Sequence, residues 1–448
     1  MAACNWQILL PEQSSMGTRI VSETRPDARM PLAPPSPDHS GLFYGWVIVA
    51  ATFSVLSIAY GIQFSYGVVL PAIATTTGWS RSQLSLPYSV YVFIYSALGM
   101  VSGRLTDRLG PRIVVTVGAL LLGGGVMLIG AAHSLGQLYL ALGVVAATGM
   151  SAAYVPCNAT VVRWFTRKRG LALSITSSGT SFGMFIFPPL VTALIARWGW
   201  RGAYVILGAF GTVILAACAA LIVRDPERLG LVPDGESGED DDALENVPVP
   251  VADDHWTLEQ ARRTGAFWLI DVIFTLTWIV VFLPMVHIVP FAEDLGISHF
   301  RAAMTISVIG FAGFAGRLLI GAISDRFGRV ATLGLCLACQ ALAFGGLMVT
   351  DGLGLLYACA ALFGFSYGGI SALFPALIGD FFGRLAVGEI VGFIFALAGS
   401  PAAFGPLIAG YVYTATGSYG AAFCLSAALN ALALILLFFL KKPARSRA

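Results

Sequence analysis

The sequence contains few charged residues. Asp, Glu, Lys and Arg make up only 11% of the 448 residues, whereas 57% are hydrophobic, and soluble domains carry about 25% charged residues. This balance excludes an ordinary soluble globular domain. The mean hydropathy of +0.80 is typical of a protein with most of its length inside a membrane.

Residue clusters that carry enzymatic or metal chemistry are also missing. No region brings a nucleophile, a base and a third partner together, and no long soluble segment could hold a catalytic domain. Cys336 and Cys339 have the spacing of a redox or metal site, but no His or acidic residue lies beside them in their apolar stretch. We therefore expect a protein that is not an enzyme and that uses no cofactor and no metal.

Long apolar runs dominate the rest of the chain. A membrane-spanning helix needs about 20 apolar residues, and twelve stretches meet that need. They lie near residues 43–71, 84–104, 113–133, 136–162, 171–196, 201–223, 267–291, 302–324, 330–350, 353–380, 388–414 and 419–440. The sequence predicts an all-α membrane protein of twelve transmembrane helices, with both termini on one side.

The positions of the cations predict which side that is. Of the 26 Lys and Arg residues, Arg81, Arg197, Arg201 and Arg301 fall in one set of loops, Arg317 falls inside a span, and the other 21 fall in the opposite loops and the tails. Short cytoplasmic loops carry an excess of Lys and Arg. We therefore expect a multi-pass protein of the cell membrane with both termini in the cytoplasm.

The segments outside the spans are short. Residues 1–40 lack the apolar core of a signal peptide and mix charge with proline, which predicts a disordered cytosolic tail. Residues 224–266 form an acidic, proline-spaced cytosolic linker, and residues 441–448 form a second cytosolic tail. At the end of the linker, Thr257 and Gln260 have capping-box spacing, which predicts a short helix.

An internal repeat predicts how the spans are arranged. The stretch Gly103-Arg-Leu-Thr-Asp107-Arg108-Leu-Gly110 recurs 218 residues later as Gly321-Ala-Ile-Ser-Asp325-Arg326-Phe-Gly328. A repeat of this size indicates two homologous halves. The halves are residues 41–223 and 267–440, with six helices each.

This repeated loop resembles the signature loop of the major facilitator superfamily. Glycines let helices approach closely, and an Asp at the membrane surface can pair with Arg or with a helix N-terminus. The resemblance implies a transporter in which the loop latches the halves together in one of the alternating states. The latch residues would be Gly103, Asp107, Arg108, Gly321, Asp325 and Arg326.

Three stretches resemble the monocarboxylate transporters within that superfamily. They are Phe43-Tyr44-Gly45-Trp46, Trp164-Phe165-Thr166-Arg167-Lys168-Arg169-Gly170-Leu171-Ala172, and Phe64-Ser65-Tyr66-Gly67-Val68 followed by Gly78-Trp79-Ser80-Arg81. The last is similar to the bacterial branch that includes the oxalate/formate antiporters. The resemblance covers about residues 40–440 and implies transport of organic anions by proton symport or by exchange. Multidrug antiporters are a less favoured branch, because Met184 stands where their fifth span carries proline.

Arg317 is a candidate for substrate binding. A charge at the centre of a span costs roughly 2.5–3.5 kcal/mol on insertion scales, so it calls for a reason. Its repeat counterpart is Gly99, so the scaffold does not require a cation there. In the monocarboxylate transporters an arginine of the eighth span binds the substrate carboxylate, and the resemblance places Arg317 at that position. An arginine that reaches to the cytosol or braces the Asp325 loop is the alternative.

His287 is a candidate for proton coupling. The Asp and Lys of the animal monocarboxylate transporters have no counterparts in spans eight and one, where Gly313 replaces the Asp. If protons are coupled, another group must carry them, and the candidates are His287 and Arg317. The unperturbed histidine pKa of about 6.5 suits this role. A neutral, hydrogen-bonded histidine near the outer surface is the alternative.

Polar residues at helical spacing complete the candidate site. In the superfamily, spans one, four, seven and ten line the cavity. In span four, Ser151, Tyr154 and Asn158 recur at positions i, i+3 and i+7. The substrate-binding candidates are therefore Arg317, His287, Tyr154, Asn158, Tyr66, Gln63, Tyr367 and Ser371. Packing within the helices is the alternative for each aromatic or hydroxyl residue.

These features predict a secondary active transporter of small monocarboxylates of lactate or pyruvate size, working by alternating access with proton symport. One cation matches one carboxylate, and span eleven carries no charged residue except Glu389. An organic-anion antiporter of oxalate/formate type and a non-transporting sensor on the same fold are the alternatives. The expected partners are substrate, protons and lipid, with no nucleic acid and with a monomer as the functional unit.

Overall fold

The computed structural model describes residues 43–165, 168–235, 256–383 and 387–443. Within these ranges the chain is helical and contains no β-strand. Eleven of its helices are long and apolar enough to cross a membrane, and one of them bends sharply at Gly199 and so contains two spans. The all-α architecture of twelve spans is confirmed.

The first six spans make up the N-terminal half. They are α1 (Tyr44–Thr77), α2 (Arg81–Leu109), α3 (Pro111–Gly130), α4 (Leu135–Trp164) and the two parts of Arg169–Leu221, which are α5 (169–198) and α6 (200–221). Gly199 has a φ of 67°, a left-handed conformation that glycine adopts without strain. This one residue therefore separates two spans that would otherwise form a single helix.

The other six spans make up the C-terminal half. They are α7 (Gly265–Asp294), α8 (His299–Phe327), α9 (Arg329–Met348), α10 (Leu353–Phe382), α11 (Val387–Ala402 and Phe404–Thr416) and α12 (Gly420–Leu437). A short helix, Leu258–Arg262, precedes α7, and the side chains of Thr257 and Gln260 each bond to the other residue's backbone N–H. The predicted capping box is confirmed. The tail 1–40 and the acidic linker residues 236–255 lie outside the described ranges.

The repeated loop has the same backbone in both halves. α2 ends at Leu109 and α8 ends at Phe327, and the next residue is a glycine with a φ of 87° at Gly110 and of 85° at Gly328. The following helix begins immediately after each glycine. A glycine with positive φ ends a helix and lets the chain turn. The sequence repeat is therefore also a structural repeat.

Two of the spans are irregular. α1 is interrupted at Ser65, and α4 contains a π-helical segment, Tyr139–Ala146, and a turn at Ala152–Ala153. Such interruptions rotate the later residues relative to a regular helix. Ser151 and Tyr154 lie on either side of that turn, and their side chains are 8% and 36% exposed.

Large apolar side chains cover the outside of the bundle. Leu120 on α3, Val213 on α6, Leu342 on α9 and Ile435 on α12 are each more than half exposed. In water, large exposed apolar patches are rare and mark interaction surfaces. In a membrane the same side chains contact lipid.

The two halves contact each other mainly through α1 with α7, α2 with α11 and α5 with α8. Small residues make these approaches close. A Cβ atom at Gly310 of α8 would lie 2.6 Å from the backbone nitrogen of Phe185 in α5, too close for any side chain. We call the end with Gly110 and Gly328 the predicted inner end, and the end with residues 78–80, 295–298 and 417–419 the predicted outer end.

Candidate functional site

Arg317 lies on α8 where this helix packs against α5 of the other half. Its Nη1 atom donates hydrogen bonds to the carbonyl oxygen of Ser177 and the hydroxyl of Thr180, both on α5. Its Nε atom is buried and has no hydrogen-bond partner within the described ranges. The guanidinium therefore bridges the two halves and keeps an N–H edge for a further acceptor.

Tyr367 lies close to Arg317, and Asn158 is linked to it through Ser177. The ring centroid of Tyr367 on α10 is 6.0 Å from the guanidinium carbon, and Ser371 donates a hydrogen bond of 2.9 Å to the Tyr367 carbonyl. Asn158 of α4 accepts a hydrogen bond of 3.3 Å from the hydroxyl of Ser177, the residue whose carbonyl binds Arg317. The fold thus brings together residues of α4, α5, α8 and α10.

Four further aromatic side chains lie in the same region of the structure. The ring of Tyr154 stacks on Phe395 of α11 at 6.1 Å between centroids and contacts Tyr60 of α1 at 6.4 Å. Trp278 of α7 contacts Phe395 at 4.9 Å. Tyr154 is 36% exposed despite these contacts, so open space lies beside it. Sequence reasoning missed Phe395 and Trp278, because an aromatic residue in an apolar run carries no sign of which side chains it will contact.

Gln63 and Tyr66 lie elsewhere, in the interior of the N-terminal half. Tyr66 is 2% exposed, stacks on Tyr88 at 5.1 Å and donates a hydrogen bond of 2.6 Å to the carbonyl oxygen of Leu84. Gln63 is 3% exposed and lines a small cavity among α1, α2, α3, α4 and α6. The structure places neither residue in contact with Arg317.

His287 belongs to a second cluster, near the predicted outer end, and is completely buried. Its Nε2 atom is 3.0 Å from the carbonyl oxygen of Pro406 on α11 and 3.1 Å from the hydroxyl of Ser85 on α2. A carbonyl oxygen only accepts, so Nε2 carries a hydrogen. In the neutral ring, Nδ1 then accepts from the hydroxyl of Tyr419 at 3.0 Å. His287 thereby links α7 to α2 and α11.

Arg81 joins the two halves beside His287. Its two terminal nitrogens each lie 2.6 Å from one carboxylate oxygen of Asp294, at the end of α7. Nη1 also donates to the Tyr419 hydroxyl at 2.8 Å, and the guanidinium carbon lies 3.9 Å from the centroid of the Tyr413 ring. We call Arg81, His287, Asp294, Tyr413 and Tyr419 the outer cluster. Sequence reasoning missed the ion pair, because its partners are 213 residues apart.

The two-half architecture and the repeated loop have counterparts in known proteins. A family model described as Major Facilitator Superfamily matches residues 52–354 and 280–448. The chain belongs to the major facilitator superfamily. A crystal structure of a bacterial homolog to the human lysosomal transporter Spinster, in an inward-facing and unoccupied conformation, has the same fold. Its TM-score is 0.64 at 17% identity, over 90% of this chain and 95% of that chain.

Within the superfamily, the chain is similar to monocarboxylate transporters. Monocarboxylate transporter 12 of Rattus norvegicus is 29% identical over 439 residues, which are 92% of this chain and 88% of that protein. Monocarboxylate transporter 11 of Homo sapiens is 29% identical over 419 residues, which are 90% of this chain and 84% of that protein. The resemblance predicted from the motifs is confirmed at this level of identity.

The first superfamily signature loop is bound within its own half. Asp107 pairs with Arg163 at the end of α4 at 2.8 Å, and Arg163 also pairs with Asp225, beyond α6, at 3.0 Å. A Cβ atom at Gly103 would lie 3.2 Å from a valine side chain of α4, and Arg108 is exposed. These contacts hold the loop against α4 and the residues that follow α6.

The second signature loop has a different set of contacts. The guanidinium of Arg326 lies 5.8 Å from the neighbouring Phe327 ring, and Gly321 has open space where a Cβ atom would lie. Arg329 pairs with Asp380 at the end of α10 at 2.8 Å. The side chain of Asp325 lies outside the described part of the chain, so the latch between the halves stays a prediction.

Proposed function

We propose that this protein is a secondary active transporter of small monocarboxylates, of lactate or pyruvate size, that works by alternating access and proton symport. The observation that carries the proposal is the position of Arg317 between the halves. Its Nε atom is buried, and no described residue accepts a hydrogen bond from it. The names of the related monocarboxylate transporters support the same class of substrate.

The guanidinium of Arg317 suits one carboxylate. Ser177 and Thr180 bind at Nη1, and the Tyr367 hydroxyl also lies close to the guanidinium, so Nε–H is the donor that remains for a substrate. Two parallel N–H groups on one edge match the two oxygens of a carboxylate. A lysine at this position would keep the charge but lose the fork.

The charge balance favours a monoanion. Arg317 is the only Lys or Arg deep within the spans described by the structure, and Glu389 is the only charged residue of α11. A dianion would leave one buried charge unpaired, at a cost of several kcal/mol. The carbon skeleton of the substrate would pack against aromatic residues such as Tyr154, Trp278 and Phe395.

Uptake of labelled lactate into proteoliposomes, with and without a proton gradient, tests the proposal. Arg317→Lys and Arg317→Ala should each reduce uptake about tenfold or more, because hydrogen bonds to a charged group contribute about 1.5–3 kcal/mol. Arg301→Lys changes an exposed arginine near the opposite end of the same helix and should retain parent uptake. Parent uptake in both Arg317 variants would remove Arg317 from the site.

Competition between substrates distinguishes this function from organic-anion exchange. At about pH 7.5, above the unperturbed histidine pKa of about 6.5, lactate should compete for uptake and oxalate should compete poorly. The reason is that oxalate needs a second cation at the depth of Arg317. Equal competition by oxalate, or uptake only into vesicles loaded with an exchangeable anion, would favour the antiporter.

The proposal includes an orientation and a place in the cell. The predicted inner loops and the tails carry 21 Lys and Arg residues, and the predicted outer loops carry four. This excess supports a protein of the cell membrane with both termini in the cytoplasm. We also propose that it acts as a monomer and that His287 or Arg317 carries the coupled proton.

A further inference from the structure

A cavity inside the N-terminal half is lined by polar groups that the transport proposal does not use. It lies among α1, α2, α3, α4 and α6 and has room for about one water molecule. Its polar lining comes from Gln63 on α1, from Tyr88 and Tyr91 on α2 and from Tyr204 on α6. The rest of the lining is apolar apart from Tyr66, so a polar ligand could bond only to these side chains.

The four side chains are almost completely buried, with exposed fractions of 1% for Tyr88, 2% for Tyr91 and Tyr204, and 3% for Gln63. Their three hydroxyls and both polar atoms of the Gln63 amide make no hydrogen bond of acceptable geometry with any described residue. The Gln63 amide does lie close to the hydroxyls of Tyr88 and Tyr95. Buried polar groups in native proteins are nearly always hydrogen-bonded, so five such atoms around one cavity indicate a shared partner.

Tyr66 provides an internal comparison. It also lines the cavity, but its hydroxyl donates to the carbonyl oxygen of Leu84 at 2.6 Å. Where the protein has an acceptor within reach of a tyrosine in this region, the hydroxyl uses it. The hydroxyls of Tyr91 and Tyr204 have no hydrogen-bond partner among the described residues, and the Tyr88 hydroxyl and the Gln63 amide lie close to each other without a bond of acceptable geometry.

The π-helical part of α4 borders the cavity. Leu142 and Ala146 of the lining belong to the π-helical segment of α4, Tyr139–Ala146. A π-helical turn holds more residues than an α-helical turn and often occurs at functional sites.

We propose that this cavity is a binding site for one ordered water molecule, held by Gln63, Tyr88, Tyr91 and Tyr204. A buried water makes about three hydrogen bonds, and an amide with three hydroxyls supplies both donors and acceptors. The volume excludes a larger ligand. The water connects α1, α2 and α6 and so holds the N-terminal half together as one body during transport.

Removing single hydroxyls tests the site, because the direction in which the melting temperature changes depends on whether the hydroxyl binds water. Tyr204→Phe and Tyr91→Phe keep the ring and delete one hydroxyl. If the hydroxyl binds water, its loss should lower the melting temperature of the purified full-length protein by about 2 °C or more. If the hydroxyl has no partner, phenylalanine removes a buried unpaired group and should leave the melting temperature unchanged or raise it.

A control and a direct observation complete the test. Tyr411→Phe deletes the hydroxyl of a tyrosine that is 69% exposed and should leave the melting temperature unchanged. A density map of the parent protein at about 2.5 Å should show a peak at about 2.7–3.2 Å from at least two of the four side chains. A lower melting temperature in at least one variant together with this peak supports the site. An unchanged or higher melting temperature in both variants, or a map without the peak, overturns it.

Discussion

Asp294→Asn removes the charge that binds Arg81 in the outer cluster. In the parent protein both terminal nitrogens of Arg81 bond to the Asp294 carboxylate at 2.6 Å. Asparagine keeps one acceptor oxygen and presents an NH2 group to the other guanidinium nitrogen. Since α2 and α7 belong to different halves, we expect the halves of this variant to separate more often at the predicted outer end.

The free energy that the Arg81–Asp294 ion pair contributes depends on how exposed the two side chains are. The side chains of Arg81 and Asp294 are 18% and 35% exposed, which lies between a buried pair and a surface pair. Hydrogen bonds to charged groups contribute about 1.5–3 kcal/mol, whereas exposed ion pairs contribute about 0.2–1 kcal/mol. An intermediate contribution of about 1–2 kcal/mol corresponds to an increase of about 5- to 30-fold in the open population.

A cysteine at Ser89 measures that population. Ser89 is 5% exposed and lies one helical turn deeper on α2 than Ser85, which bonds to His287. In intact cells, an impermeant thiol reagent should reach this cysteine only while the predicted outer end is open. Its labelling rate should therefore rise about 5- to 30-fold when Asp294→Asn is added.

Further variants show whether loss of the ion pair causes the faster labelling. Arg301→Gln changes an exposed arginine near the same end and should leave the rate unchanged. Arg81→Gln should raise the rate, and the double variant with Asp294→Asn should label no faster than Arg81→Gln alone, because both changes remove one interaction. Parent labelling rates in both single variants, or effects that multiply in the double variant, would refute the reasoning.

Proton coupling and topology have their own tests. If His287 carries the proton, His287→Gln should abolish accumulation driven by a pH gradient and preserve exchange at equal pH, because glutamine keeps a hydrogen-bonding side chain but does not titrate. Unchanged accumulation would exclude His287 as the carrier. For topology, Asp240→Cys in the acidic linker should resist an impermeant thiol reagent in intact cells, and His133→Cys, at an exposed position between α3 and α4, should label. Labelling at position 240 from outside would contradict the proposed orientation.

Helical spacing predicted some of the residues near Arg317 and not others. Tyr367 and Ser371 lie on α10, an uninterrupted helix, and the Tyr367 ring lies 6.0 Å from the guanidinium carbon of Arg317. Gln63 and Tyr66 lie on either side of the interruption at Ser65, and both face the interior of the N-terminal half. A pattern of polar residues shows which of them share a helix face, but not which neighbouring helices that face packs against.

The sequence by itself determined the number of spans, the two halves and their loops. Hydropathy is a local property, and a chain inside a membrane must satisfy its backbone hydrogen bonds within each span. Each apolar run therefore forms a helix whatever it packs against. The glycines at 110 and 328 act locally in the same way, because only their own φ angles are involved.

Only the tertiary structure decided which residues meet between the halves. Arg81 and Asp294 are 213 residues apart. Tyr154 of the N-terminal half stacks on Phe395 of the C-terminal half, and Arg317 of the C-terminal half bonds to α5 of the N-terminal half. These contacts depend on the rotation and crossing of whole helices. Neither composition nor spacing contains that information, because it arises from the simultaneous packing of side chains from distant parts of the chain.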